Sequence, residues 1–293
     1  MRLVTFWDGN GLKIGAVKQG WVVDLSAVAG DMQTFIEGAP ATLAVAGQLV
    51  SQAKEGLALD EVTLAAPLPQ PRRNIMCLGM NYAAHAAESA AAAGRETRLP
   101  ETPVVFTKAP TAVIGHDVDI PFHASATTEM DWEVELAVII GRQGRNMAAD
   151  AAMDHVFGYT VLNDVTARDL QRRGKQYFKG KSLDGFCPIG PWIVTADEIP
   201  APHNLRLTSS VNGRTMQDSH TSDMIFRIPE IISYLSQGMA LLPGDIIATG
   251  TPSGVGFARQ PPIFLQPGDE VVCDVEGIGQ LRNVVAAGDG GVG

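Results

Sequence analysis

The chain has 293 residues, of which 45% are hydrophobic and 18% charged, and its formal net charge at pH 7 is −10. This apolar fraction supports a sizeable core and excludes a wholly disordered chain, while the acidic balance argues against a nucleic-acid binder. No apolar run approaches the roughly 18–20 residues of a membrane span, and the first residues lack a signal-peptide core, so we expect a cytoplasmic protein without a membrane partner.

The first 70 residues are predicted to form a small α/β domain. Strand-like runs at 3–7, 12–17 and 21–25 are separated by glycine-containing turns, and residues 31–55 are predicted to be helical. Residues 66–71 contain three prolines within five positions, which interrupts both helices and sheet pairing. We therefore expect a small accessory domain over 1–70 and a larger catalytic domain over 71–293.

The larger segment is mostly β-structure in its pattern. Strand-like runs occur at 75–78, 104–107, 132–140, 158–162, 192–195, 246–249 and 270–275. Helices are predicted over 83–93, between Asn81 as N-cap and Gly94 as stop, after Thr166, and over 222–238. Without regular alternation of strands and helices, the pattern predicts a mixed, β-rich α+β fold, a roll or barrel with flanking helices, rather than a doubly wound sheet.

Three carboxylates are candidates for a metal site. Glu133 and Glu135 are two residues apart in a strand-like run, so their side chains share one face at a Cα spacing of about 6.5–7 Å. From spacing alone, a half-buried strand with an acidic solvent face is the more ordinary explanation. Asp164, at the end of the next strand-like run, adds a third carboxylate. Such an oxygen-only set suits Mg²⁺ or Mn²⁺ better than zinc, provided that the three residues converge.

His85 and Glu88 are candidates for a general base. On the predicted helix they are three residues apart and lie on one face. A carboxylate that bonds one imidazole nitrogen fixes the tautomer and raises the basicity of the other nitrogen. The alternative is an ordinary surface pair on an alanine-rich helix. The polar segment 95–101 that follows is predicted to be a loop, and with the helix it forms a plausible lid over a substrate.

Two further residues are candidates for binding an anion. Lys181 precedes a turn rich in glycine and proline, where it is either held against an anionic ligand or solvated at the surface. Thr251 lies in the glycine-rich stretch 248–256 that follows a strand, and its hydroxyl and the neighbouring backbone N–H groups can bind a carboxylate.

Taken together and in their order, these motifs resemble the fumarylacetoacetate hydrolase family. The matching stretches are Gly-x-Asn-Tyr-x-x-His-x-x-Glu at 79–88, Asp-Trp-Glu-x-Glu-Leu-Ala at 131–137, Asn-Asp-x-Thr-Ala-Arg-Asp-Leu-Gln at 163–171, Gly-Lys-Ser-x-Asp at 180–184, Gly-Pro-Trp-Ile-Val at 190–194 and Thr-Gly-Thr-Pro-x-Gly-Val-Gly at 249–256. The resemblance covers about residues 72–285. The first 70 residues are similar to the accessory domain of longer bacterial members, and 176–191 to a branch that includes oxaloacetate decarboxylases.

The resemblance implies a β-sandwich roll, a homodimer and a set of site residues. It assigns the metal ligands to Glu133, Glu135 and Asp164, the catalytic base and its carboxylate to His85 and Glu88, a catalytic lysine to Lys181, and substrate contacts to Gln171, Thr251 and Arg168.

These assignments lead to an expected activity. We expect an enzyme that uses Mg²⁺ or Mn²⁺ to cleave a C–C bond in a 2,4-dioxo acid, an acylpyruvate, with release of pyruvate. Alternatives are decarboxylation of oxaloacetate or a related β-keto acid, and keto–enol or double-bond isomerisation of a hydroxymuconate-like diacid. A metal- or ligand-binding module without catalysis is the alternative from another class. In each case the expected partner is a small oxo-carboxylate.

Overall fold

Strands dominate the computed structural model, which describes residues 1–287. The strands are β1 (Arg2–Trp7), β2 (Leu12–Lys18), β3 (Trp21–Asp24), β4 (Leu57–Ala58), β5 (Thr63–Ala65), β6 (Ile75–Gly79), β7 (Val104–Lys108), β8 (Val113–Ile114), β9 (Met130–Asp131), β10 (Val134–Ile140), β11 (Val156–Asn163), β12 (Thr166–Ala167), β13 (Cys187–Thr195), β14 (Arg206–Val211), β15 (Arg214–His220), β16 (Ile246–Ala248), β17 (Glu270–Val275) and β18 (Gly279–Val284). The α-helices are α1 (Met32–Glu37), α2 (Ala41–Gln52), α3 (Ala83–Ala92), α4 (Arg168–Arg173), α5 (Phe178–Lys181) and α6 (Ile228–Leu235).

The strands form two main sheets. A twelve-stranded sheet has the order β4-β3-β2-β1-β13-β11-β10-β16-β6-β7, with β5 paired to β1 and β8 paired to β13. A four-stranded sheet has the order β15-β14-β17-β18, and β9 pairs with β12. Most pairs are antiparallel, while β6 with β16 and β8 with β13 are parallel. The predicted mixed, β-rich α+β fold is confirmed.

Strand β10 lies at the centre of the core, with both faces covered. Val138 packs in a cluster that includes Leu207 of β14 and Val271 of β17, so this face lies against the four-stranded sheet. Ile139 points the other way, into a cluster that includes Phe35 of α1. The explanation of this run as a half-solvated strand is therefore wrong, because neither face is exposed to water.

The N-terminal segment is joined to the large sheet through β1, which pairs with β13. Residues 66–71 do not form a free linker here. Ala66 and Leu68 are buried, and the Thr5 hydroxyl donates to the Pro67 carbonyl at 2.8 Å. The division into domains 1–70 and 71–293 stays a prediction.

The helices differ from the predictions mainly at their ends. The predicted helix 31–55 is two helices, because Pro40 and Gly38 between them disfavour helical continuity. The predicted helix 222–238 is confined to Ile228–Leu235. Within residues 1–287, no helix combines the length and apolar character that crossing a bilayer requires.

Helix α3 begins close to the predicted position but is not capped by Asn81. Tyr82 occupies the N-cap position, without a side-chain cap. The Asn81 amide instead donates to the carbonyls of Phe226 at 3.0 Å and Thr249 at 2.8 Å. Asn81 therefore joins the start of α3 to the segment that follows β16. At its other end α3 stops before Gly94, whose φ is +64°.

The buried position of β10 predicts a large stability effect for a small substitution. Val138→Ala removes packing from a fully buried site and is expected to lower the free energy of unfolding by about 2 kcal/mol. The matched control Val45→Ala, at an α2 position that is 48% exposed, is expected to change it by less than about 0.5 kcal/mol. Urea denaturation measures both values, and equal losses would contradict the assigned core.

Candidate metal centre and active-site cavity

The antiparallel pairing of β10 with β11 brings three carboxylates together. Val134 is paired with Asn163, so Glu133 before β10 and Asp164 after β11 lie side by side. The Asp164 N–H donates to the Glu133 carbonyl at 2.9 Å. Glu135 follows in β10, and carboxylate oxygens of Glu133, Glu135 and Asp164 lie within 4.8 Å of one another. All three side chains are buried, so the predicted convergence is present in the structure.

Two buried lysines face this cluster. The Lys181 ammonium is 2.7 Å from Glu133 Oε2 and 2.6 Å from Asp164 Oδ2. Lys108, at the end of β7, lies 2.5 Å from Asp164 Oδ1 and also donates to the Val165 carbonyl at 3.0 Å. Lys181 is therefore not a solvated surface residue. Lys108 was not among the predicted site residues. Strand alternation places its side chain on the same face of β7 as the apolar Phe106, which was the available signal.

Arg168 completes the buried charge network. Its Nε donates to Asp131 Oδ2 at 2.8 Å, and one Nη donates to Glu133 Oε1 at 2.6 Å. Asp131 also accepts from the backbone N–H groups of Gly256 at 2.7 Å and Phe257 at 3.0 Å. Sequence reasoning did not single out Asp131, although it stands in the same motif as the two glutamates.

The two glutamates differ in electrostatic environment. Burial acts to raise the pKa of Glu133, but the Lys181 ammonium and the Arg168 guanidinium outweigh it and hold this pKa well below its ordinary value. Burial raises the pKa of Glu135 well above its ordinary value, and the carboxylates of Asp164 and Glu133 add to this shift. The backbone N–H of Gly250 donates to Glu135 at 2.7 Å, and no side-chain cation of residues 1–287 forms an ion pair with it.

This arrangement fits a divalent cation of the hard, oxygen-binding kind. The donor set consists of three carboxylates, as Mg²⁺ and Mn²⁺ favour. Glu135 is the strongest indication that the cluster holds a cation, because its buried carboxyl group faces two others and has no ion-pair partner of its own. A cation bound there supplies the missing positive charge. The three residues are therefore a candidate site for a divalent metal.

His85 and Glu88 form a hydrogen-bonded pair on α3. His85 Nδ1 lies 2.8 Å from Glu88 Oε1, and the Gly254 N–H donates to Glu88 Oε2 at 2.9 Å. Because a carboxylate accepts hydrogen bonds, this contact selects the neutral tautomer with the proton on Nδ1, in which Nε2 has the free lone pair. The pair is thus more than an exposed surface contact, since His85 is buried.

Thr251 and Gly250 belong to the segment after β16. The Thr251 hydroxyl donates to the Val134 carbonyl at 2.9 Å and accepts from the Gln217 amide at 2.8 Å. Gly250 has φ +96°, and a Cβ there would lie 2.8 Å from Asn81 Cβ, so glycine is required where the chain turns to reach Glu135. A direct contact between Thr251 and substrate stays a prediction.

A cavity of about 440 Å³ reaches the carboxylate cluster at Glu133, while Glu135, Asp164 and Glu88 lie behind its lining. Its lining includes these predicted site residues: His85, Glu133, Arg168, Gln171, Lys181 and Thr251. The Gln171 side chain accepts from Arg168 at 3.1 Å. Larger clefts of about 720 and 910 Å³ lie elsewhere, but none of these predicted residues lines them. The cavity is therefore the candidate active site.

Comparison with known proteins places this geometry in context. Residues 74–286 match the family described as fumarylacetoacetate (FAA) hydrolase C-terminal. The chain is 51% identical over 227 residues to oxaloacetate tautomerase YisK of Bacillus subtilis, covering 78% of this chain and 74% of that protein. It is 42% identical over 297 residues to the mitochondrial oxaloacetate tautomerase FAHD2A of Bos taurus, covering 97% and 91%.

A solved structure is also similar along almost the whole chain. Maleylpyruvate hydrolase from Sphingobium sp. SYK-6, in complex with manganese and pyruvate, is 30% identical with a TM-score of 0.80, and the match covers 98% of this chain and 100% of that one. A protein with this fold thus binds a divalent metal together with a 2-oxo acid.

The electrostatics of Glu135 predict separate effects on metal affinity and stability. Glu135→Gln is expected to weaken Mn²⁺ binding by at least about tenfold, because a charged ligand is lost. The free energy of unfolding in chelator is expected to stay equal or rise, because folding no longer buries a carboxyl group whose pKa the site raises. Electron paramagnetic resonance titration and urea denaturation measure the two effects, with exposed Glu61→Gln as control. Unchanged Mn²⁺ affinity would remove Glu135 from the site.

Lys108 is predicted to stabilise the cluster. Lys108→Met leaves the Asp164 carboxylate buried with one cation fewer and is expected to lower the free energy of unfolding by about 3–5 kcal/mol without metal. Lys54→Met changes the same residue type at an exposed position and is expected to have little effect. Chemical denaturation in chelator compares the variants. A loss no larger than that of the control would refute this role.

Proposed function

Because the chain belongs to the fumarylacetoacetate hydrolase family, we propose that it is a divalent-metal-dependent tautomerase that interconverts enol and keto oxaloacetate. The observation that carries the proposal is the His85 imidazole, oriented by Glu88, at the cavity that also contains Glu133 and Lys181. Relatives named oxaloacetate tautomerases at 51% and 42% identity support this choice of reaction.

The proposed ligands of the metal are Glu133, Glu135 and Asp164. Mg²⁺ or Mn²⁺ held by them would supply a Lewis acid that polarises the 2-oxo group of the substrate. The Lys181 ammonium is within hydrogen-bond distance of Glu133 and Asp164. A substrate whose 2-oxo group is bound at these ligands therefore has its oxygen close to this ammonium. Gln171 and Arg168 line the cavity beside them and are the proposed substrate contacts, together with Thr251.

His85 is the proposed proton-transfer group. In the direction from keto to enol, Nε2 takes a proton from C3 while the C2=O oxygen gains charge, which the Lys181 ammonium stabilises. The enol forms when this oxygen takes up a proton from solvent and the imidazolium releases its Nε2 proton to solvent, which restores neutral His85. In the reverse direction the oxygen loses its proton, and the imidazolium returns one to C3. Glu88 stabilises the imidazolium through Nδ1–H. No C–C bond breaks and no water molecule is consumed.

Acylpyruvate hydrolysis is the second candidate. A neutral imidazole that takes a proton from C3 can equally take one from a water molecule, which then attacks the distal carbonyl. The similarity to maleylpyruvate hydrolase favours this alternative. Decarboxylation of oxaloacetate uses the same enolate stabilisation but requires no base. The homodimer and the cytoplasmic location stay predictions.

Enol oxaloacetate with the metal-loaded protein tests the proposed function. The loss of enol absorbance is expected to be faster than in the protein-free control with either Mg²⁺ or Mn²⁺, and chelator is expected to remove the acceleration. His85→Asn is expected to lower kcat/KM by about a hundredfold to ten-thousandfold, because the proton-transfer group is lost. His220→Asn, outside the cavity, is the matched control.

Product analysis separates the alternatives. Ketonisation without pyruvate formation supports the tautomerase. Pyruvate release from acetylpyruvate without acceleration of ketonisation supports the hydrolase instead, and release of CO₂ from oxaloacetate supports the decarboxylase. If His85→Asn retained full tautomerase activity, the proposed base would be wrong.

A further inference from the structure

We propose that Arg95 makes the cavity selective for 2-oxo acids with a second carboxylate, by binding the carboxylate at the end of the substrate remote from the metal ligands. The inference rests on the proposed function for the orientation of the substrate, with its 2-oxo acid end at Glu133, Glu135 and Asp164. It adds the residue that distinguishes a dicarboxylate such as oxaloacetate from a monocarboxylate acylpyruvate.

Arg95 lies on the same side of the cavity as the proposed base. Along α3 and the turn that ends it, His85, Ser89 and Arg95 all line the cavity. His85 and Ser89 are four residues apart, one helical turn, so they are about 6 Å apart along the helix axis. The Arg95 N–H donates to the Ala90 carbonyl at 2.9 Å, which fixes its backbone to the end of the helix. The α3 side of the cavity therefore carries the proposed base, His85, and further along the chain a cation, Arg95.

The other cations of the cavity are already paired with carboxylates. Lys181 and Arg168 contact Glu133, and Arg172 contacts Glu129 at 2.5 Å. In the range 1–287, the Arg95 guanidinium makes no ion pair or hydrogen bond, and the exposed side chain lines the cavity. Its donors are therefore available to a ligand without breaking an existing contact.

The chemistry of a short diacid matches this side of the cavity. When the 2-oxo acid end lies at the carboxylate cluster, C3 faces His85 and the C4 carboxylate extends beyond it. A guanidinium binds a carboxylate through two parallel N–H···O hydrogen bonds, which a neutral ester or alkyl group cannot form in the same way. A methyl ketone at that end leaves the Arg95 donors in water and gains nothing from them.

The experiment compares oxaloacetate with its 4-methyl ester, which keeps the carbon chain and neutralises the distal carboxylate. Arg95→Gln is expected to lower kcat/KM for oxaloacetate by about tenfold to a hundredfold and for the ester by less than about threefold. Arg95→Lys keeps the charge and is expected to recover part of the loss. The matched control, Arg98→Gln, changes an arginine of the same loop that does not line the cavity.

A binding measurement makes the test independent of turnover. Calorimetry with the Mn²⁺-loaded protein compares malate, a 2-hydroxy diacid, with lactate, which lacks the distal carboxylate. Arg95→Gln is expected to weaken malate binding by about tenfold or more and to leave lactate binding unchanged. If wild-type protein does not tautomerise oxaloacetate, the proposed function fails, while the malate and lactate affinities still test Arg95. If Arg95→Gln lowered the affinities for malate and lactate equally, or left the malate affinity unchanged, the proposed role of Arg95 would be wrong.

Discussion

The buried ion network around Glu133 is the interaction on which the site depends. Four carboxylates, those of Glu133, Glu135, Asp164 and Asp131, face three cations, Lys108, Lys181 and Arg168, all at buried positions. Charges buried in this way are costly unless their partners are fixed. The register between β10 and β11 fixes two of the carboxylates, and the ends of β7, α4 and α5 supply the cations.

The two sheets meet at this network through one buried amide. Gln217 of β15 accepts from the Val134 N–H at 3.0 Å and donates to the Thr251 hydroxyl at 2.8 Å. It thus joins the four-stranded sheet to the start of β10 and to the segment that carries Gly250. Packing between the sheets and the geometry of the carboxylates are therefore coupled, because neither can shift without breaking these hydrogen bonds.

Local spacing predicted the fold class and picked out candidate site residues, whereas the resemblance to the fumarylacetoacetate hydrolase family assigned their roles. The i, i+2 glutamates and the i, i+3 pair of His85 and Glu88 follow from strand and helix periodicity. The structure brings the two glutamates together with Asp164, and it joins His85 to Glu88 by a hydrogen bond. The fold class followed from the strand runs, although the polar strands β14 and β15 lacked the apolar runs that reveal a strand.

The features that the sequence did not predict depend on contacts between residues far apart in the chain. Whether Lys108 is buried depends on Asp164, 56 residues further along the chain. Asn81 has the typical N-cap residue type, but its amide finds better partners at Phe226 and Thr249. Such outcomes are set by which elements meet, and no local pattern encodes them.

The floor and the rim of the cavity have different origins in the fold. The floor consists of side chains held by sheet register and buried ion pairs. Arg95 at the rim belongs instead to the segment 93–101, which is mostly exposed and makes few hydrogen bonds to the rest of the chain. Exchanging that short stretch between related proteins would therefore retune which acid enters while the reactive groups keep their places. This modularity offers protein engineers a direct route to altered substrate range.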